Sequence, residues 1–221
     1  MNLNKKLSDI LDPNKIEVVK NPIEKAHGLP NECYLNNDYL EFEKEKIFKN
    51  NWTMIGVASS VPNPGDAKPF NLLGIPILIV RNKENEVKVF HNVCSHRGFK
   101  LVDQECKLKN VIRCPYHSWS YDFNGKLTVT PHIGGLGKHE VEGFDKNNSN
   151  LKEIKSNIWM DLIFININSN AKPFEDFIKP LEDRWFKFIS KKDQKLIRHS
   201  TDNGYFNMTV NSNWKFAIEN Y

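Results

Sequence analysis

Two short segments hold the residues best suited to chemistry. Cys94-Ser95-His96 and Cys114-Pro115-Tyr116-His117 each place a thiol and an imidazole close together, with residues 97–113 between the two segments. Two thiolates and two imidazoles can bind metal in two ways. A [2Fe–2S] cluster of mixed ligation takes two Cys on one iron and two His on the other. A structural zinc takes all four on one ion, usually pairing Cys with Cys and His with His as C-x2–4-C and H-x3–5-H. Here each segment mixes the types, as C-x-H and C-x2-H. Two such loops can each reach both irons and enclose a cluster from opposite sides. Mixed ligation makes a cluster easier to reduce than an all-Cys one, so the expected chemistry is electron transfer.

The remaining donors form no such set. Cys33 and Cys106 lack a partner at metal spacing and are expected to be structural or free thiols. His27, His91, His132, His139 and His199 stand alone in sequence and are expected on the surface or in hydrogen bonds. Arg97, between His96 and Gly98, could face a partner carboxylate or only solvent. Tyr116 and Trp119 flank His117 and are expected to shield the metal site from water.

Rigid elements must position the two loops. Short strands with turn signals between them are expected at Trp52–Val57, Ala67–Leu72, Ile75–Arg81, Val87–Asn92, Asn110–Arg113, Ser118–Phe123 and Trp159–Ile167. This pattern means antiparallel β structure. Asn82–Asn85 is expected to be a hairpin turn, and Asn124-Gly125 a type I′ turn with φ > 0 at both positions. Both ligand pairs then sit just past strand ends, on adjacent loops.

Residues 1 to about 30 contain Pro13, Pro22 and Pro30 and predict an irregular arm. Apolar residues from Asn37 to Asn50 recur at helical spacing, with Asn37 or Asp38 as cap. Residues 132–150 are expected to be loop. Pro173–Phe188 predicts two short helices divided by Pro180. Tyr205–Val210 is expected to be a strand. Ser212-Asn213 predicts a helix start with Trp214, Ala217, Ile218 and Tyr221 on one apolar face. The style change near residue 168 predicts a boundary, and the end at Tyr221 without a C-cap signal predicts an incomplete second domain.

The composition excludes several classes. Net charge is +4 with no Lys/Arg block interleaved with aromatics, so no nucleic-acid partner is expected. No apolar run reaches about 18 residues, so no membrane span is expected. Met1–Lys20 is polar and lacks a secretory signal pattern, and four Cys then fit a reducing cytoplasm better than a disulfide framework.

Longer stretches carry a family resemblance. Asn92-Val-Cys-Ser-His-Arg-Gly98, Cys114-Pro-Tyr-His-Ser-Trp-Ser-Tyr121 with Gly125, and Glu45-Lys-Ile-Phe48 through Trp52 resemble the Rieske domain of ring-hydroxylating oxygenase α subunits and related Rieske monooxygenases. Trp159–Ile167 resembles the end of that domain. Asn213-Trp-Lys-Phe-Ala-Ile-Glu-Asn-Tyr221 resembles the opening of the family's iron-binding helix. The resemblance implies an antiparallel β-sandwich holding a [2Fe–2S] cluster on Cys94, His96, Cys114 and His117. It implies an N-terminal arm over 1–36, the Rieske domain over 37–168, and the start of an α+β catalytic domain over 169–221. His96 or His117 would be the exit for the electron.

The resemblance also implies a mononuclear Fe(II) in the full-length protein. No ligand to it, and so no catalytic residue, is expected within 1–221, although Asn220 matches a family position near that iron. Implied partners are a flavin reductase and/or ferredoxin, a small organic substrate of aromatic or amine type, and two further copies in a homotrimer. Respiratory Rieske proteins carry an extra Cys in each loop, where Phe99 and Tyr116 stand, and a Ser where Trp119 stands. Their absence implies a potential near the low end of the Rieske range, about −150 mV. A stand-alone ferredoxin-like carrier and a zinc-stabilised β domain are the competing readings.

Overall fold

In a computed structural model, residues 7–201 and 208–220 are described. The chain divides into two compact units, Asn51–Tyr205 and Met1–Asn50 with Phe206–Tyr221.

The larger unit is built on three antiparallel sheets. Strands β1 (Thr53–Val57), β2 (Asp66–Leu72), β3 (Ile75–Arg81), β4 (Val87–His91), β5 (Cys106–Lys107), β6 (Ile112–Arg113), β7 (Ser120–Tyr121), β8 (Leu127–Val129), β9 (Lys155–Trp159) and β10 (Leu162–Asn166) pair in the orders β1-β10-β9, β4-β3-β2-β5 and β6-β7-β8. The run Ile77–Val80 is apolar at every position because β3 lies between two cores. Leu78 and Val80 pack with Phe90, Ile112, Tyr121 and Leu127, while Ile77 and Ile79 pack with Ile55, Val89, Ile163 and Ile165. Side chains alternate along a strand, so both faces are buried. Among the described residues no helix is long and apolar enough to cross a membrane.

Several local expectations are corrected. The apolar run 159–167 is not one strand: it holds the last residue of β9, a turn at Met160 and Asp161 with φ of 50° and 68°, and then β10, which pairs back on β9 as a hairpin. Neither is Gly, so the usual signal is missing. Asp tolerates this region, and the Asp161 carboxylate accepts the His199 backbone N–H at 2.9 Å. At Asn124-Gly125 only Gly125 has positive φ, 80°. The bonds Gly125 N–H to Asp122 O and Asp122 N–H to Lys126 O close a longer turn with a bulge rather than a type I′ turn. Pro180 lies inside one continuous helix, Phe174–Trp185. Burial of Phe174 and Ile178 on the turns before it holds the helix despite the missing N–H.

In the smaller unit the helix is Asn37–Glu43, followed by a π-turn at Lys44–Phe48. Its cap is Asn36, one residue before the expected cap, accepting from the N–H groups of Asp38 and Tyr39. Helix Trp214–Glu219 is capped by Asn213 as expected. Its buried residue is Lys215, whereas Ile218 is exposed, and Tyr221 lies outside the described residues. Of the expected strand 205–210, residues 205–207 lie outside the described residues, and Met208–Val210 form no strand.

Candidate metal centre

The two segments fold into loops of matching form. In the first, past the end of β4, Cys94 O accepts from Gly98 N–H at 2.9 Å and Cys94 N–H donates to Phe99 O at 2.8 Å. In the second, between β6 and β7, Cys114 O accepts from Ser118 N–H at 3.0 Å and Cys114 N–H donates to Trp119 O at 2.8 Å. Each turn closes on a residue in the left-handed region, Gly98 at φ 70° and Ser118 at φ 58°. A five-residue ring of this kind needs positive φ at its end, which Gly supplies without strain. Two loops of like geometry thus present a thiol and an imidazole each.

The four side chains come together. Cys94 and Cys114 are both 1% exposed, and the imidazoles of His96 and His117 are 4.9 Å apart, edge to face. Burial, followed by the neighbouring Tyr121 and Cys114 groups, changes the Cys94 thiol, with a net push upward. Burial, then the positive fields of His117 and Arg97, pushes His96 downward. His117 Nδ1 is buried with no hydrogen-bond partner. A buried polar atom left without a partner is uncommon and calls for an explanation such as a bound ion. Among the described residues no three His, Cys, Asp or Glu side chains close on a single metal ion. A mixed-ligand [2Fe–2S] cluster does not require that, since each iron takes only two protein ligands. The donor set, its burial and the orphaned nitrogen therefore fit that cluster.

Surrounding residues fix the loops. Asn92 is fully buried; its Oδ1 accepts from Leu101 and Val102 N–H, and its Nδ2 donates to Val102 O at 2.7 Å. Tyr121, on β7, is also fully buried, with its hydroxyl 3.2 Å from Cys94 Sγ and 2.8 Å from Ser95 Oγ. Ser95 N–H donates to that hydroxyl at 3.2 Å. Burial first, and then the Cys94 bond, raise the Tyr121 phenol far above its ordinary range, so it remains a donor. Neither role was visible in sequence. The only available signal was a polar residue at a strand position that should face the core.

The aromatic shield is arranged differently from the expectation. Trp119 stacks on His96, not His117, with centroids 4.6 Å apart and planes 8° apart. Tyr116 packs on His117 at 3.7 Å but stays 54% exposed. A cleft of about 570 Å³ opens beside the imidazoles, lined by His96, Arg97, Tyr116, His117, Trp119 and His132 among others. His132 and His139 do not stand alone: their rings are 5.0 Å apart, and His132 N–H donates to His139 Nδ1. Cys33 is buried and Cys106 exposed, both as free thiols. A separate cavity of about 430 Å³, lined by Arg81, Trp159 and Arg198 among others, includes none of the four candidate ligands.

A model of the Rieske [2Fe–2S] domain matches residues 51–141, an interval that contains both loops. The carnitine monooxygenase oxygenase subunit of Acinetobacter pittii (strain PHEA-2) is 33% identical over 197 residues, covering 89% of this chain and 50% of that protein. The glycine betaine monooxygenase oxygenase subunit of Pseudomonas aeruginosa (strain UCBPP-PA14) is 29% identical over 196 residues, covering 88% and 42%. Among solved structures, a quaternary ammonium Rieske monooxygenase, described for carnitine oxidation by gut microbiota and inter-subunit electron transfer, aligns with a TM-score of 0.64. That match has 34% identity and covers 72% of this chain and 42% of that one. The chain spans about half the length of the curated relatives it matches. The likeness extends well beyond the matched interval and runs to oxygenase subunits on both sequence and fold: this chain carries a Rieske [2Fe–2S] domain and is similar to the oxygenase subunits of Rieske monooxygenases.

Proposed function

We propose that Cys94 and Cys114 hold one iron of the cluster and His96 and His117 the other. In this reading the chain is the electron-transferring Rieske portion of an oxygenase α subunit that hydroxylates an amine-type substrate with O2. The observation that carries the ligand assignment is the orphaned His117 Nδ1 beside two fully buried thiols on loops of matched form. When bound, the cluster supplies one-electron transfer.

The chain's own residues prepare the site for that. Trp119, stacked on His96 and 4% exposed, keeps water from one face of the imidazole. Asn92 holds the first loop against residues 101–102. Tyr121 directs its O–H toward Cys94. His96 and His117 border the cleft, so with the cluster bound an imidazole would be the exit for the electron; a second copy of the chain would receive it, as in the inter-subunit transfer described for the similar monooxygenase.

The substrate class follows from the relatives, whose names specify carnitine and glycine betaine. A flavin reductase or ferredoxin is the proposed donor, and the cytoplasm the proposed compartment. The domain borders at 36/37 and 168/169, and a mononuclear iron held outside residues 1–221, belong to the same reading. A stand-alone carrier is disfavoured because the likeness to oxygenase subunits covers 197 residues, well beyond the cluster domain.

Iron and acid-labile sulfide analysis with electron paramagnetic resonance of the reduced protein tests the ligands. The expected result is equal iron and sulfide with a mixed-ligand signal, lost in His117→Ala and Cys114→Ala. Stoichiometric zinc without sulfide overturns the reading. Product analysis of the full-length protein with trimethylammonium compounds and with aromatic hydrocarbons tests the substrate class.

A further inference from the structure

Glu43 and Lys215 form an ion pair across 172 positions of sequence, with side chains 3% and 8% exposed. Lys215 Nζ donates to both Glu43 oxygens at 2.8 Å, and the Trp214 indole N–H donates to Glu43 Oε2 at 3.1 Å. The ammonium also lies over Tyr34, Tyr39 and Trp214, 5.4, 5.4 and 5.2 Å from their ring centroids. Further contacts surround this pair. Tyr34 O–H donates to Glu219 at 2.5 Å, Asn213 Nδ2 donates to Tyr34 O at 3.0 Å, and Phe216 stacks on Tyr34 at 4.7 Å. Phe48 meets Trp214 edge-on at 5.0 Å.

Helix Trp214–Glu219 has six residues, too few to be stable alone. Apart from the contacts of Trp214 with Phe48 and of Phe216 with Tyr34, its apolar residues are not enclosed, since Phe216 and Ile218 are 50% and 67% exposed. Its one buried residue is the cation. A buried ion pair is weak evidence for stability, because a well-packed apolar pair does as well or better. A bidentate pair inside an aromatic cage instead specifies one orientation and one register.

We propose that Lys215 is a positioning residue: locked by Glu43 and the rings, it sets the direction in which the chain leaves this helix. Segment Tyr34–Phe48 then serves the catalytic part that follows rather than the cluster. What it serves rests on the oxygenase reading above; the docking itself does not.

The test uses the full-length protein with Glu43→Gln, Lys215→Met and the double variant Glu43→Met/Lys215→Met. Each single change leaves a buried charge without its counter-charge and should lower hydrogen-exchange protection of residues 214–220 about a hundredfold or more. The double variant should recover most of that protection. Exchange across residues 87–123 and the spectrum of the reduced cluster should stay unchanged in all three. Product formed per electron consumed should fall at least severalfold in the singles and stay low in the double, because apolar packing restores stability without direction. Single variants within threefold of wild type in protection overturn the proposal, as does a double variant that regains full coupling. If wild type yields no hydroxylated amine, the oxygenase reading fails, and the exchange pattern alone upholds or overturns the docking role.

Discussion

Replacing Tyr121 by Phe removes one hydroxyl and almost nothing else, because the ring is fully buried and its packing is kept. The hydroxyl's neighbours determine the consequence. Ser95 Oγ donates its only proton to Ser149 O at 2.6 Å, so it can only accept from Tyr121. Ser95 N–H already donates to the Tyr121 oxygen. One phenolic proton is therefore shared between Ser95 Oγ at 2.8 Å and Cys94 Sγ at 3.2 Å. With the proposed cluster bound, Cys94 would be a thiolate and would draw that proton, since bonds to charged acceptors are the stronger ones. Such a bond grows stronger as the cluster gains negative charge, so it favours the reduced state and raises the potential. If the difference between redox states is about 1 kcal/mol, within the net worth of one hydrogen bond, the one-electron shift is about 40 mV. Tyr121→Phe should lower the midpoint by that order in protein-film voltammetry. Ser95→Ala removes the competing acceptor and should move the midpoint the opposite way. A Tyr121→Phe midpoint within about 10 mV of wild type, or above it, would refute the argument.

Further outcomes follow from other contacts. A Cβ on Gly125 would sit 2.5 Å from Phe90 Cε1 at a φ of 80°, so Gly125→Ala should cost about 2–4 kcal/mol in denaturant titration. Burial, and then Lys152, hold His91 below its ordinary value. The unfolded chain then binds the extra proton, so this contribution is fully present above about pH 6.5 and is lost as pH falls toward the folded value. The stability difference between wild type and His91→Gln, measured from pH 8 down to about pH 5, should shrink on that slope. Pro180→Ala restores a helical N–H at an exposed site within Phe174–Trp185 and should raise stability by about 1–3 kcal/mol; a loss would show that the ring itself is needed.

The four candidate donors were legible because each pair is local. Cys94 with His96, and Cys114 with His117, each lie within four residues, so ligand types and spacing can be taken directly from the chain. The strands at 53–57, 66–72, 75–81 and 87–91 were legible for the same reason, since alternation and turn residues act over a few positions. The 160–161 hairpin escaped because its left-handed residues are Met and Asp, held by a backbone contact from His199 that no local pattern contains. Asn36 was missed as a cap by a single position, and Pro180 failed to break a helix whose preceding turns are anchored by burial.

By itself the sequence determined which atoms can ligate metal, that they lie on paired loops, and that antiparallel β structure surrounds them. Only the tertiary structure decided that Trp119 covers His96, that Tyr121 faces Cys94, and that Lys215 is buried against Glu43. The physical reason is range. Periodicity, capping and turn chemistry are energies of neighbouring residues. The partner of a buried proton or charge is instead chosen by packing of the whole unit, among residues 27 and 172 positions apart.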